Sequence, residues 1–259
     1  MRIISWNVAG LRAKIKKNEI YNIIELNPDI ICIQETKADE NQVKIPEDIN
    51  KIYPFRYWSE NKGITQKKGF SGTSIWLKVE PIQIINLQEE FDQEGRIGII
   101  ELEEYYLINV YVVNSQEINS ERCKYRNLIW DKKLEELILE LKKRKEVIIC
   151  GDFNVANEDI DIYNPEKLKN KTAGFLDCER ENFKQLLDNC NLIDIYRYLN
   201  PREQTFSYWD QRVKKMRETN KGWRIDYFLI TEKLRKKIKR IDILVNIFGS
   251  DHAPLILEI

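Results

Sequence analysis

Residues 96–112 read RIGIIELEEYYLINVYV, and the next strand-like run, VIIC at 147–150, continues into GDFN at 151–154. The first stretch holds two β-branched and aromatic runs, 96–102 and 105–112, close enough together for a hairpin-like succession. Between them and VIIC lies the longest helical pattern of the chain, 120–143, with Leu128, Trp130, Leu134, Leu137, Ile138 and Leu141 apolar. Strands therefore occur here both in a meander and beside a helix. A simple doubly wound order of alternating strand and helix does not fit that mixture. Two mainly antiparallel or mixed sheets packed face to face, with helices outside, do fit it. The fold class expected is α/β, a four-layer α-β-β-α sandwich.

Working outward, residues 2–6, 30–33, 73–77 and 81–86 read as strands. Residues 18–26 carry Ile20, Ile23 and Ile24 at helical spacing and stop before Pro28. Residues 178–189 look helical, and 205–209, 224–231, 241–245 and 255–259 close the chain as strands. No linker, repeat or low-complexity tract divides the sequence, so 1–259 is expected to be one domain.

Hydrophobic residues make up 42%, enough for a large core, and 32% charged residues argue for a soluble protein. No apolar run approaches the ~20 residues that a membrane helix needs. The start, MRIISWN, has no apolar leader and reads directly as a strand. Cys32, Cys123, Cys150, Cys178 and Cys190 are odd in number and form no Cys-x-x-Cys pair. Reduced thiols in an intracellular, non-secreted protein are the expectation. One histidine and scattered cysteines make no zinc ligand set. The formal net charge is zero, yet residues 202–240 hold 13 Lys/Arg against 5 Asp/Glu. A basic segment on a neutral chain suggests a local anionic partner such as a phosphate backbone. For 233–240 alone, a solvated helix end or edge explains the charge equally well.

Polar groups fall at or beside strand ends: Asn7, Glu35, Tyr111 with Asn114, Asp152 with Asn154, Asp226, and Asp251-His252. Each alone is more often a turn, cap or surface residue. Six strands converging in this way look like a site built on a scaffold edge. Carboxylates and amides are hard oxygen donors that suit Mg²⁺. His252, the only imidazole in 259 residues, is the one side chain whose ordinary pKa lies near neutrality. Carboxylates, an imidazole and a metal together suggest phosphoester hydrolysis by an activated water. No Gly-x-Ser-x-Gly elbow, Walker loop or dinucleotide fingerprint appears.

The motifs SWNVAGLRA (5–13), IQETK (33–37), GFSG (69–72), EGR (94–96), GDFNVA (151–156), GWRIDYF (222–228) and GSDHAP (249–254) occur in this order. The chain thereby resembles the exonuclease III class of apurinic/apyrimidinic (AP) endonucleases, within the endonuclease–exonuclease–phosphatase superfamily, over essentially its whole length. The resemblance implies a DNA-repair phosphodiesterase that cuts 5′ to an abasic site, with some 3′-phosphodiesterase and 3′→5′ exonuclease activity. It implies Mg²⁺ as cofactor, with Mn²⁺ as the alternative ion. The partner implied is double-stranded DNA with abasic or 3′-blocked sites, bound by a monomer away from any membrane.

Carried over residue by residue, Glu35 would be the main metal carboxylate, with Asn7 close by and Asp251 near the metal or its water. Asp152 would orient or deprotonate the attacking water, and Asn154 would position water and phosphate. Tyr111 and Asn114 would contact the scissile phosphate. Asp226 would hold His252 and favour its protonated form, which would stabilise developing charge. Phe206, Trp223 and Ile225 would line a pocket for an extruded abasic sugar. Arg217, with Arg212, Lys214 and Lys215, would hold phosphates without reading sequence; Trp209 is left between pocket and core.

Ala9 stands where the family usually carries Asn or Asp, so Ala9→Asp is expected to tighten Mg²⁺ use in a metal titration. Val113 replaces a usual proline, residues 115–117 lack a basic residue often found there, and the 214–217 region is about one residue longer than expected. The competing readings are another superfamily phosphodiesterase, DNase-I-like or acting on lipid phosphates, and a DNA-binding homologue weakened in turnover. The GWRIDYF and QETK segments weigh against the first, and the intact polar set weighs against the second.

Overall fold

Every residue of IICIQ at 30–34 is buried, because both faces of the strand it forms are covered. The computed structural model describes residues 1–61, 69–87, 92–211, 213 and 215–259. Among them are twelve strands: β1 (Arg2–Asn7), β2 (Ile30–Gln34), β3 (Phe55–Ser59), β4 (Thr73–Leu77), β5 (Gln83–Ile84), β6 (Ile97–Glu101), β7 (Tyr105–Tyr111), β8 (Glu146–Asp152), β9 (Leu192–Asp194), β10 (Asp226–Thr231), β11 (Arg240–Ile243) and β12 (Leu255–Glu258). They form two six-stranded sheets, ordered β11-β12-β1-β2-β4-β3 and β5-β6-β7-β8-β10-β9. Each sheet has one parallel pair at its centre, β1–β2 and β7–β8, flanked by antiparallel neighbours.

Strand alternation explains the layering. Ile3, Ile30, Cys32 and Ile75 of the first sheet face Leu107, Ile148, Cys150 and Phe228 of the second, forming the inner core. The intervening Ile4, Trp6, Ile31 and Ile33 point outward to Leu11 on α1 (Leu11–Lys16) and to Ile20, Ile23 and Ile49. On the other side Ile108, Val147, Ile149 and Leu229 meet Leu134 and Ile138 of α2 (Asp131–Lys142) and Phe183 of α3 (Asp177–Asn189). Helix, sheet, sheet, helix is the expected four-layer order. A polar bridge crosses the inner core: Asn109 of β7 donates to Ile33 O (3.0 Å) and Ser74 O (3.1 Å), and accepts from Gln34 Nε2 (2.6 Å).

Four local expectations change. Residues 205–209 join no ladder; isolated bridges tie Tyr208 to Trp223 and to His252. Their backbone is spent on loops instead, with Ser207 N and Tyr208 N donating to Trp223 O, and Trp209 N to Asp251 O. Within 81–86 only Gln83–Ile84 pairs, and 18–26 shortens to a helix at Tyr21–Ile24. The 120–143 helix spans Glu121 to Lys142 but is interrupted by a π-turn at Arg126–Trp130.

β1, β2, β7 and β8 all finish at one end of the sandwich, where β10 begins and where the loop into β12 passes. A one-residue slip of β8 would turn Asp152, Ile148 and Cys150 from the inner face to the helix side. The basic run at 233–240 lies at the opposite end, beyond the last residue of β10. There Lys233 pairs with Glu146 (2.7 Å) and Arg240 with Asp242 (2.8 Å). The basic excess of 202–240 is therefore not one surface, and its second part is a solvated, largely paired edge.

Candidate active site

Just past their strands, Ala9 (φ 49°), Glu35 (φ 52°) and Asn154 (φ 49°) adopt the left-handed backbone region. That conformation is costly for an L-residue and persists only where surrounding contacts enforce it. Here it turns the chain so that strand-end side chains share one cleft. Asn7, at the end of β1, is fully buried and donates from Nδ2 to Glu35 Oε1 (3.0 Å) and Asp152 Oδ2 (2.9 Å). Its Oδ1 accepts the Ala9 N–H (3.0 Å). Asn7 thus orients two carboxylates through its Nδ2, and its Oδ1 keeps a second lone pair beside Glu35. Glu35 Oε2 lies 2.7 Å from Lys37 Nζ. Burial would raise the Glu35 pKa, but the charge and hydrogen bond of Lys37, with that of Asn7, hold it below its ordinary value.

Tyr111 ends β7 and shares the cleft with the Glu35 carboxylate. Burial, reinforced by the Glu35 charge, pushes the phenol pKa well above its usual 10, so it remains a proton-bearing donor. Arg96 supports it from beneath: the guanidinium lies 4.5 Å from the Tyr111 ring centroid and donates to Tyr111 O (2.9 Å). Glu94 holds Arg96 (2.5 Å) and Arg122 (2.5 Å) in turn, which accounts for the EGR segment as support.

His252 is buried, and its Nδ1 donates to Asp226 Oδ2 at 2.8 Å. Ser207 Oγ donates to the same carboxylate oxygen (2.6 Å) and accepts the Ile225 and Asp226 N–H groups (both 3.1 Å). Burial alone would lower the imidazole pKa, but Asp226, then Asp152, raise it to about 10. His252 Nε2 faces Asp152 Oδ2 at 3.8 Å. Burial pushes the Asp152 pKa up, the His252 charge pulls it back, and Asp226 and Glu35 push again, leaving it at about 7. Near neutrality the pair is an imidazolium beside a carboxylate able to take a proton. The loop is pinned by Ser250, whose Oγ donates to Asn7 O (2.7 Å), and by Trp6 Nε1, which donates to His252 O (3.0 Å).

The cleft holds about 680 Å³. Glu35, Tyr111, Asn114, Asp152, Asn154, Asp251 and His252 line it, with Trp223, Ile225, Tyr208 and Gly174 on its apolar side. Asn114 Nδ2 donates to Asn154 Oδ1 (2.8 Å), joining the two expected phosphate-facing amides.

Two expected substrate residues lie elsewhere. Phe206 is 1% exposed and packs in the inner core, so it does not line the cleft. Tyr208 takes that place, its ring tilted over His252 at 4.8 Å between centroids. Arg217 is half-buried and spends its donors on Val245 O (2.8 Å), Ile247 O (2.6 Å) and Ser250 O (3.3 Å), stacked between Trp209 and Phe248. It braces the loop that carries Asp251 and His252 and has little left for a phosphate. Trp209 belongs to the inner core. Arg212 and Lys214 fall outside the described residues. Ser207, Tyr208 and Lys37 escaped sequence reasoning; Lys37 had a signal, as the last residue of QETK, whereas TFSYWD at 205–210 had none.

The pattern of the Endonuclease/Exonuclease/phosphatase family matches residues 4–252. The exodeoxyribonuclease of Bacillus subtilis (strain 168) is 42% identical, with 100% of this chain and 99% of the relative covered. The DNA repair nuclease APEX1 of Danio rerio is 38% identical over 99% of this chain and 81% of its own length. An AP endonuclease from Archaeoglobus fulgidus superposes with a TM-score of 0.86 at 29% identity, covering 100% of this chain and 98% of that one. The 3′ phosphatase NExo from Neisseria, bound to a product DNA hairpin, gives 0.88 at 28% identity, with 100% and 98% covered. The chain belongs to the endonuclease/exonuclease/phosphatase family, in the branch that holds these exodeoxyribonucleases and AP endonucleases.

Proposed function

We propose that the protein is an AP endonuclease that hydrolyses the phosphodiester 5′ to an abasic site in duplex DNA, with 3′-phosphodiesterase and 3′→5′ exonuclease activity at the same centre. The observation that carries this reading is the stack of Asp226, His252 and Asp152, at 2.8 and 3.8 Å, beside Glu35 and Tyr111 in one cleft. Asp152 accepts the proton of the attacking water, since its pKa of about 7 makes it a base near neutral pH. The His252 imidazolium and the Tyr111 hydroxyl stabilise charge that develops on the phosphate oxygens. Asp226 keeps the imidazole oriented and protonated. Trp223, Ile225 and Tyr208 offer an apolar wall for a base-less sugar, which unstacks at less cost than an intact nucleotide.

Divalent metal, Mg²⁺ with Mn²⁺ as alternative, belongs to this reading. Glu35 already faces a cation, the Lys37 ammonium, and offers oxygen donors only, which suits a hard ion that keeps most of its water. Glu35, with Asp251 on the same cleft, would hold it, and it would supply Lewis-acid stabilisation of the leaving oxygen. The buried group Asp152–Asp226–His252 is not read as the cage, because His252 Nδ1 is committed to Asp226. All of these groups come from one chain, in keeping with a monomer.

The likeness to a 3′ phosphatase favours a second emphasis, cleaning of blocked 3′ ends. One gel assay separates these: an abasic duplex, a 3′-phosphate end and an undamaged recessed end, each with Mg²⁺, Mn²⁺ or EDTA. The abasic duplex is expected to be cut fastest and EDTA to abolish cutting. Preference for undamaged duplex or for a lipid phosphate, or DNA binding without cleavage at any metal concentration, would overturn the reading.

A further inference from the structure

Arg126 opens the π-turn at Arg126–Trp130, a wide helical turn of a kind frequent at functional sites. Its side chain is 2% exposed and that of Glu179, on α3, is 0% exposed. Arg126 Nη1 donates to Glu179 Oε1 (2.9 Å) and to Asn154 O (2.8 Å), while Nη2 donates to Phe153 O (2.9 Å). Glu179 Oε2 accepts the N–H groups of Gly174 (2.6 Å) and Leu176 (3.1 Å). Gly174, at φ 87°, lies so close to the cleft wall that a Cβ there would sit 3.0 Å from the Trp223 ring and 3.3 Å from Asn154 O. One buried ion pair therefore reaches both sides of the cleft, the Asn154 peptide on the phosphate side and the Gly174 loop under Trp223.

Burying two charges costs several kcal/mol, and a well-packed apolar pair would often serve stability as well or better. The backbone groups that the pair satisfies, the Phe153 and Asn154 carbonyls and the Gly174 and Leu176 N–H groups, lie on the two segments that bring Asn154 and Gly174 to the cleft wall. We propose that Arg126 and Glu179 are positioning residues that set Asn154 and the Trp223 wall at the spacing required for phosphodiester cleavage. Neither side chain touches the cleft, so they act through Asn154 and Gly174. The inference rests on the reading of the cleft given above.

The test uses the full chain in two forms, Arg126→Met/Glu179→Leu, which removes both charges together, and Arg126→Lys, which keeps the ion pair without the planar fork. Melting is measured alongside kcat and KM on the abasic duplex and the 3′-phosphate end. In the folded double variant kcat is expected to fall roughly tenfold or more on both substrates, because small displacements of positioned groups are costly. KM should stay within about threefold, and Arg126→Lys should recover part of the loss. In an Asn154→Ala background the double substitution should lower kcat by less than about threefold, since the group it positions is gone. An unchanged kcat, or an equal loss with and without Asn154, overturns the proposal. Should the double variant not fold, Arg126→Lys decides: kcat lowered about threefold or more at unchanged melting supports it, and unchanged kcat overturns it. A wild-type protein that cuts no DNA would fail the reading of the cleft, whereas an active wild type with unimpaired variants would fail this inference alone.

Discussion

His252 is the only imidazole in the chain, so one resonance reports the site without assignment by mutation. In the metal-free protein that resonance is expected to titrate near 10, well above its ordinary 6.5, and Asp226→Asn should lower it. A value near 6.5 that ignores the substitution would detach the pair from the chemistry. The sign for stability follows from linkage: the folded pKa is raised, so this contribution is full below about pH 6.5 and disappears as pH climbs through about 10. Ala9 makes a second residue-scale case. It holds a left-handed backbone that Asn tolerates better than Ala, and it borders a second hollow, lined also by Lys14, Trp209 and Asp251. Ala9→Asn should therefore stabilise by about 1 kcal/mol, visible as a melting rise of roughly 2–4 °C; a lower melting point would show that the side chain does not fit. Phe206 and Arg217 show what a motif cannot specify. Their residue types suit a DNA pocket, but which way each points depends on Trp209, Phe248 and the carbonyls of 245–250, segments far apart in sequence.

At the scale of elements, the apolar runs were legible because β1, β2, β7, β8 and β10 are buried on both faces. β3 and β9 left little trace, since every residue of the first is half-exposed and the second is three residues long. The π-turn has no sequence signature of its own; only the buried acceptors around Arg126 reveal it. Asn109 shows how one strand registers the other sheet. Replacing it by Leu leaves Gln34, the residue before Glu35, without its 2.6 Å partner inside the core. Asn109→Leu should cost about 1–3 kcal/mol, measured by denaturant unfolding. A neutral result would mean that the two sheets keep their register without that bridge.

At the scale of the whole molecule, the candidate site lies at one end of the sandwich. Charge alone leaves 233–240 open between a phosphate-facing surface and a solvated edge, and the strand directions place it at the end away from the cleft. Lys236 and Lys239 are exposed at the end away from the cleft. Changing both to Glu should leave the affinity for abasic duplex, and its slope against salt concentration, unaltered. Lost affinity with a slope reduced by about two would place DNA on that end as well.

The arrangement of β12 has a consequence for synthesis. This strand lies between β11 and β1, and His252 stands three residues before it. The first sheet therefore cannot close until the chain has been made through Glu258 and has cleared the ribosome. A polypeptide that stops between residues 152 and 252 carries Glu35 and Asp152 but no imidazole and no completed sheet. Such a fragment is expected to leave abasic duplex uncut, because the Asp226–His252 pair and β12 are both missing from it.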